Sequence, residues 1–375
     1  MPQSIEPPSQ KDTYSQAGVD TAAEERGMAA LLDHVNQTFA FRPGVGKPLL
    51  PIGYFANVID LGHGQGLAIS TDGVGTKLLV AQLMGRYDTV GIDCVAMNVN
   101  DVLCVGAEPI SLVDYVAVQA MRPNLLGELA KGLREGARQA RVAIPGGEIA
   151  QVREMIRGER GPEGTPDGFD LIATCVGTVP TDRIVVGQTV VPGDVVVGLA
   201  SSGIHSNGLT LARRVLLQQA GLSLDRQIAP LTRSVGEELL VPTRIYVESV
   251  LAMREQLDLK ALVHITSDGL LNLLRIVSDV GFLIHTLPEP PPIFQLIQKL
   301  GQIPDEEMYA VFNMGIGFCV VVPEAQAERA VEIATSHGVA ALVLGRAVAE
   351  PTRTVILQPV GLVGHGSAFE KTGAL

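Results

Sequence analysis

Short apolar runs and longer stretches of helical spacing alternate along most of the chain. Residues 20–34 have the composition of a helix, and residues 52–69 read as glycine-punctuated strands with LGHGQG at 61–66 as a turn. Residues 109–118 run apolar and alternate like a strand, while 124–141 place Leu125, Leu126, Leu129, Leu133 and Ala137 on one helical face. GERGPEGTPDG at 158–168 is a charged surface loop, and 171–179 a further strand. The second half restarts with a buried strand at 194–200 and a helix at 209–219. A strand ending at 263–266, a helix over 269–280, a stiff PEPPP connector at 288–292, a strand at 312–322 and an amphipathic helix at 325–337 follow. Strands alternating with helices in both halves predict an α/β (α+β) plan with two domains, 14–180 and 181–362. Residues 1–13, polar and Pro-bearing, are expected to form a flexible arm, and 363–375 a tail.

Composition narrows the function classes. A chain of 375 residues is long enough for two cores, and with 46% apolar but only 4% aromatic residues its interior is aliphatic. The formal charge of −12 disfavours nonspecific binding to nucleic acid or to anionic membranes. Cys94, Cys104, Cys175 and Cys319 lack CxxC spacing and read as buried thiols of a reducing compartment. With no leader pattern and no long uncharged apolar run, the expected location is the cytoplasm.

The chemistry concentrates in residues 69–101. A strand end at 69–71 runs into Asp72-Gly73-Val74-Gly75-Thr76-Lys77, and a helix opens behind it. Gly73 and Gly75 let the backbone approach a ligand closely. Lys77 in the first helical turn is placed to meet phosphate where the helix end already attracts anions. Asp93, Asn98, Asn100 and Asp101 add hard oxygen groups of the kind Mg²⁺ takes together with substrate phosphates. The order differs from the P-loop, which requires a hydroxyl directly after its lysine. A second cluster, SSGIHSNG at 201–208, sets Ser201, Ser202, Gly203, His205, Ser206 and Asn207 between a strand and a helix as a neutral cradle. There Ser206 and Asn207 are expected as helix caps, and His205 as a hydrogen-bond donor or proton carrier. Arg244 suits a ribose 5-phosphate clamp. Asn313 would either bind substrate or hold its own loop.

These segments resemble the aminoimidazole ribonucleotide synthetase (phosphoribosylformylglycinamidine cyclo-ligase) family of purine synthesis. The resemblance rests on TDGVGTK at 71–77 with YSQAGVD at 14–20, GAEPISLVDYVA at 106–117, PGGEIA at 145–150, SSGIHSNGLTL at 201–211, PTRIYVESV at 242–250, HITSDGLL at 264–271 and EMYAVFNMGIGF at 307–318. It implies an N-terminal domain whose sheet pairs across a homodimer, and a C-terminal α/β domain. It further implies that ATP phosphorylates the formyl amide oxygen of formylglycinamidine ribonucleotide before the amidine nitrogen closes the ring. In this scheme Asp72, Asp101 and Glu148 hold Mg²⁺, and Lys77 spreads phosphoryl charge. Asn98, Gly73, Gly75 and Thr76 serve the nucleotide, Asp93 the nucleotide or the metal, and His205 polarises the amide or shuttles its proton.

The chain departs from the family pattern at Ile149, Gln151, Val152 and Arg153, and again at Ser267 and Asp268. Those changes frame the rival reading, a diverged nucleotide-binding member of the same superfamily that is non-catalytic or altered in specificity.

Overall fold

Two β-sheets, one in each half of the chain, carry the architecture. The structure, a computed structural model, describes residues 21–159, 161, 164, 168–350 and 352–373, so the expected arm at 1–13 and most of the loop at 158–168 lie outside the described residues. After a helix α1 (Thr21–Val35), strands β1 (Asn57–Gly62) and β2 (Gln65–Gly73) form an antiparallel hairpin. Its turn needs positive φ at both central positions, supplied by His63 at 53° and Gly64 at 74°. Helices α2 (Lys77–Met84), α3 (Val90–Cys104) and α4 (Pro123–Ala140) alternate with β3 (Glu108–Val118), β4 (Ala143–Gln151) and β5 (Phe169–Pro180). The sheet order is β1-β2-β5-β3-β4, with only the β3–β4 pair parallel, because α4 makes their crossover.

One face of this sheet is covered by α3. Ala68, Leu112, Val116, Leu171, Ala173 and Cys175 are buried there with Cys94, Val95, Val99 and Val102. The helix α4 packs against α3 through glycines: a Cβ on Gly132 would come within 3.0 Å of the Gly91 backbone, so side chains there would force the helices apart. The opposite face leaves Ile110, Val113 and Tyr115 exposed.

The second sheet has the order β13 (Ala368–Lys371), β12 (Leu362–His365), β11 (Val355–Leu357), β8 (Gly281–Ile284), β10 (Ala341–Val348), β6 (Val195–Ala200), β9 (Ile316–Val322) and β7 (Ala261–His264). Its centre is β6, β9 and β10, flanked by β7 and β8. Every residue of β9 is buried, as the unbroken apolar run IGFCVVV requires.

Four elements differ from expectation; the strand expected over 312–322 begins only at Ile316, whose amide donates to the Asn313 carbonyl. The helix expected over 269–280 is a short 3₁₀ segment, Gly269–Arg275, before the chain enters β8. Asn272 Nδ2 donates to the carbonyls of Ser267 and Gly269, closing a tight turn in place of an α-helix. The helix expected at 209–219 is α-helical only over Leu209–Arg213 and continues as a π segment, Arg214–Gln219. The tail expected at 363–375 instead supplies β12 (Leu362–His365) and β13 (Ala368–Lys371), a hairpin that joins the sheet through β11 (Val355–Leu357). Strands of four residues carry too little alternation to be read from sequence.

Candidate active site at the domain junction

The end of β2 opens into a cavity of about 430 Å³. Thr71, Asp72, Gly73, Val74 and Gly75 form one wall, Asp170 and Ile172 of β5 another, and Ser206 and Asn207 of the second domain a third. Gly75 has φ 72°, a value that favours glycine, and it turns the chain from β2 into α2. The Gly73 amide donates to Asp72 Oδ1 and the Val74 amide to the Leu171 carbonyl, while the Leu78 and Leu79 amides at the start of α2 donate to the carbonyls of Gly75 and Thr76. Across the rim, Thr76 Oγ1 and Thr210 Oγ1 are hydrogen-bonded at 2.9 Å, joining the two domains.

Asp72 is held by Asn98 on α3. The Asp72 amide donates to Asn98 Oδ1 at 3.0 Å, and Asn98 Nδ2 donates back to the Asp72 carbonyl at 3.1 Å. Burial, and after it the charge of Asp101, push the Asp72 carboxyl up to about 6. Asp101 itself is bonded by His264 Nδ1 at 2.8 Å and by Ser70 Oγ at 3.4 Å. Two neighbouring carboxylates, met by an imidazole, a hydroxyl and an amide, suit a hard divalent cation. No cluster of three or more His, Cys, Asp or Glu side chains placed to hold a metal exists among the described residues. Asp72 and Asp101 are the residues here that could hold Mg²⁺, which usually reaches a protein through one or two carboxylates together with substrate phosphates.

Several expected ligands are instead bracing groups. Lys77 is fully buried, and its Nζ donates to Asp93 Oδ1 at 2.8 Å, to the Val241 carbonyl at 2.6 Å and to the His205 carbonyl at 3.3 Å. Those three bonds use all its donors. Burial lowers its pKa, against the opposing charge of Asp93. Asp93 Oδ1 also accepts from the Thr243 amide and hydroxyl, each at 2.7 Å, so that oxygen faces the second domain. Asn98 is wholly buried and acts through Asp72.

The serine-rich loop is likewise pinned from within. Asn313 Nδ2 donates to the carbonyls of Gly203 and Ile204, both at 2.9 Å, and its Oδ1 accepts from the Gly315 amide; of its two expected roles, it takes that of holding its loop. His205, with φ 68°, is buried, and its Nε2 accepts from the amides of Ser202 and Arg244 at 3.1 and 3.4 Å. Burial above all holds its pKa well below the usual value. Ser202 Oγ donates to the Pro242 carbonyl, and Ser206 Oγ bonds with Asp93 and Thr243. The expected capping by Ser206 or Asn207 is absent: the helix begins at Gly208 without a side-chain cap. Ser201 is buried and Gly203 lies beneath Val241, both away from the cavity wall.

Two further residues stand apart. Arg244 lines a separate cleft of about 260 Å³ with Arg138, Glu248 and His337, and its Nη1 donates to the Gly338 carbonyl. Glu148, on the exposed edge strand β4, sits across Tyr115 and Ile172 from Gly73 in one row of the sheet. Three strand spacings, about 14 Å, separate it from the Asp72 turn, so within one chain it does not share an ion with Asp72 and Asp101. Asp170 and His264 are the residues that sequence reasoning passed over. His264 stood inside the HITSDGLL segment, whereas nothing in the local pattern marked Asp170.

The fold and this junction define a two-domain protein of the AIR synthase class. The chain belongs to the AIR synthase related family: residues 53–179 match its N-terminal domain and residues 191–358 its C-terminal domain. It is 48% identical over 322 residues to the phosphoribosylformylglycinamidine cyclo-ligase of Methanothermobacter thermautotrophicus, covering 86% of this chain and 90% of that one. It is 44% identical over 338 residues to the enzyme of the same name from Methanocaldococcus jannaschii, covering 90% and 92%. Among solved structures, thiamine-monophosphate kinase from Stenotrophomonas maltophilia shares the fold, with a TM-score of 0.57 at 20% identity over 85% of this chain and 93% of that one.

Proposed function

We propose that this protein is an ATP-dependent phosphoribosylformylglycinamidine cyclo-ligase that converts formylglycinamidine ribonucleotide to 5-aminoimidazole ribonucleotide in purine biosynthesis. The observation that carries the reading is the Asp72–Asp101 pair beside a cavity built from both domains, in a chain 48% identical to an enzyme of that name. The intact Asp72, Asp101 and Ser206-Asn207 favour it over a non-catalytic relative.

An amide oxygen is a poor leaving group. Transfer of the terminal phosphoryl group of ATP to that oxygen releases ADP and makes it a good one. The amidine nitrogen then bonds to the activated carbon, and phosphate leaves with the former amide oxygen. Asp72 and Asp101 would hold Mg²⁺, which supplies charge neutralisation along the phosphate chain. The glycines at 73 and 75 would let the backbone of the turn lie close against phosphate oxygens. Ser206 and Asn207 approach from the second domain, and the Lys77–Asp93 strut fixes that domain's distance, so that two anions are aligned before reaction.

The exposed apolar row of Ile110, Val113 and Tyr115 supports pairing of the first sheet with a second copy of the chain. Four buried free thiols fit a reducing compartment such as the cytoplasm. No helix among the described residues is long and apolar enough to cross a membrane.

The test is incubation of the purified protein with Mg-ATP and formylglycinamidine ribonucleotide, following aminoimidazole ribonucleotide by its diazo colour. Product that depends on substrate and matches ADP formed is the expected result. Bound ATP with no product would replace this reading with the diverged relative.

A further inference from the structure

We propose that His264, on β7 of the second domain, is a positioning residue that sets the orientation in which Asp101 offers its carboxylate to a divalent cation. The proposal rests on the reading of Asp72 and Asp101 as the metal-holding pair. His264 is 1% exposed and separated from Asp101 by 163 positions in sequence, yet its Nδ1 lies 2.8 Å from Asp101 Oδ1.

The neighbouring hydrogen bonds decide the tautomer. Asn100 Oδ1 accepts from the Tyr246 amide at 3.1 Å, and Asn100 Nδ2 donates to the Arg244 carbonyl at 2.9 Å. Those partners fix which end of the Asn100 amide is nitrogen. The same Nδ2 faces His264 Nε2 at 3.5 Å, and an amide nitrogen only donates. His264 Nε2 is therefore the accepting nitrogen, and Nδ1 carries the hydrogen that goes to Asp101. Pairing of His264 with Phe318 across β7 and β9 and the tilted contact of their rings hold the imidazole in place.

This bond occupies Asp101 Oδ1 and leaves Oδ2, which meets Ser70 Oγ at a long 3.4 Å, as the oxygen available to an ion. A carboxylate turns readily about its last torsion, so a fixed partner on one oxygen is what keeps the other in a constant place. Because the partner comes from the second domain, cation affinity in the first domain depends on how the domains are docked.

Mn²⁺ alone serves as the probe, its free concentration read by electron paramagnetic resonance, for wild type, His264→Leu, His264→Asn and Asp101→Asn. Thermal unfolding of each variant is recorded alongside. His264→Leu is expected to weaken Mn²⁺ binding ~10–100-fold, and His264→Asn, whose amide nitrogen stands close to the place of Nδ1, to restore most of it. His264→Gln, which moves the amide toward the Nε2 position, replaces His264→Leu if that variant does not fold. Unchanged Mn²⁺ affinity in His264→Leu or His264→Gln, with Asp101→Asn impaired, overturns the positioning role alone. Binding by His264→Asn as weak as that of His264→Leu overturns it equally. Wild type that takes up no Mn²⁺, or Asp101→Asn that binds as well as wild type, overturns the metal reading and this proposal with it.

Discussion

Lys77 Nζ lies 2.8 Å from Asp93 Oδ1, and neither side chain is exposed. The lysine belongs to α2 and the aspartate to α3, yet both finish their bonding on the second domain, at the carbonyls of His205 and Val241 and at Thr243. Desolvation cancels much of the attraction within such a pair, so its main effect is to fix geometry. It ties the Asp72 turn and the serine-rich loop to one scaffold.

Removing one partner strands the other charge in the interior. Lys77→Met is expected to cost ~3–5 kcal/mol, and the double substitution Lys77→Met with Asp93→Leu less than the sum of the single ones. Urea denaturation of the three variants measures this. A midpoint for Lys77→Met equal to that of wild type would show that the strut carries no stability.

The Asp72 carboxyl is raised from 3.8 to about 6 by burial and then by Asp101. Between those values the folded chain keeps a proton that the unfolded chain releases, so this group makes stability fall as pH rises through the window, and contributes no further change above it. In metal-free buffer above about pH 7, Asp72→Asn should therefore stabilise the protein by ~1–3 kcal/mol, with no gain below about pH 4. Turnover should drop at least ~10²-fold in the same variant. Melting curves at the two pH values, with and without EDTA, make the comparison; a uniform shift at both would contradict the assignment.

Gly317 on β9 faces the ring of His205. A Cβ there would collide with Tyr246 Oη and stand 2.5 Å from His205 Cε1. Overpacking of this kind costs ~1–3 kcal/mol. Gly317→Ala should thus lower the melting temperature and raise KM for substrate by displacing the loop that carries Ser206 and Asn207. Normal stability together with normal KM would mean that the loop tolerates movement.

Val113 and Tyr115 project from the uncovered sheet face, 44% and 39% exposed. Arginine at both positions should convert the expected dimer to monomers in sedimentation velocity without loss of helical content. A wild-type protein that already sediments as a monomer would refute pairing through this face.

Legibility in the sequence followed the range of the forces involved. The β1–β2 turn, the helix of Leu125, Leu129 and Leu133 and the buried β9 were readable because φ preference and apolar spacing act over a few residues. Asp72, with Gly73 and Gly75 beside it, was readable for the same reason. Lys77 was assigned to the correct helical turn, but its spacing says nothing of the carbonyls of Val241 and His205 that its Nζ meets. Glu148 followed the right glycines, but the sheet order β2-β5-β3-β4 put two strands between it and Asp72.

The amino-acid sequence by itself therefore determined the alternation of strands and helices, the glycine turn that opens the cavity and the membership of the family. Only the tertiary structure decided which polar groups remain available to a ligand. It joined His264 to Asp101, spent Lys77 on the domain junction and turned Arg244 into another cleft. The physical reason is that backbone conformation is set by near neighbours, whereas burial and hydrogen-bond partnership are set by residues that folding brings together from more than a hundred positions away.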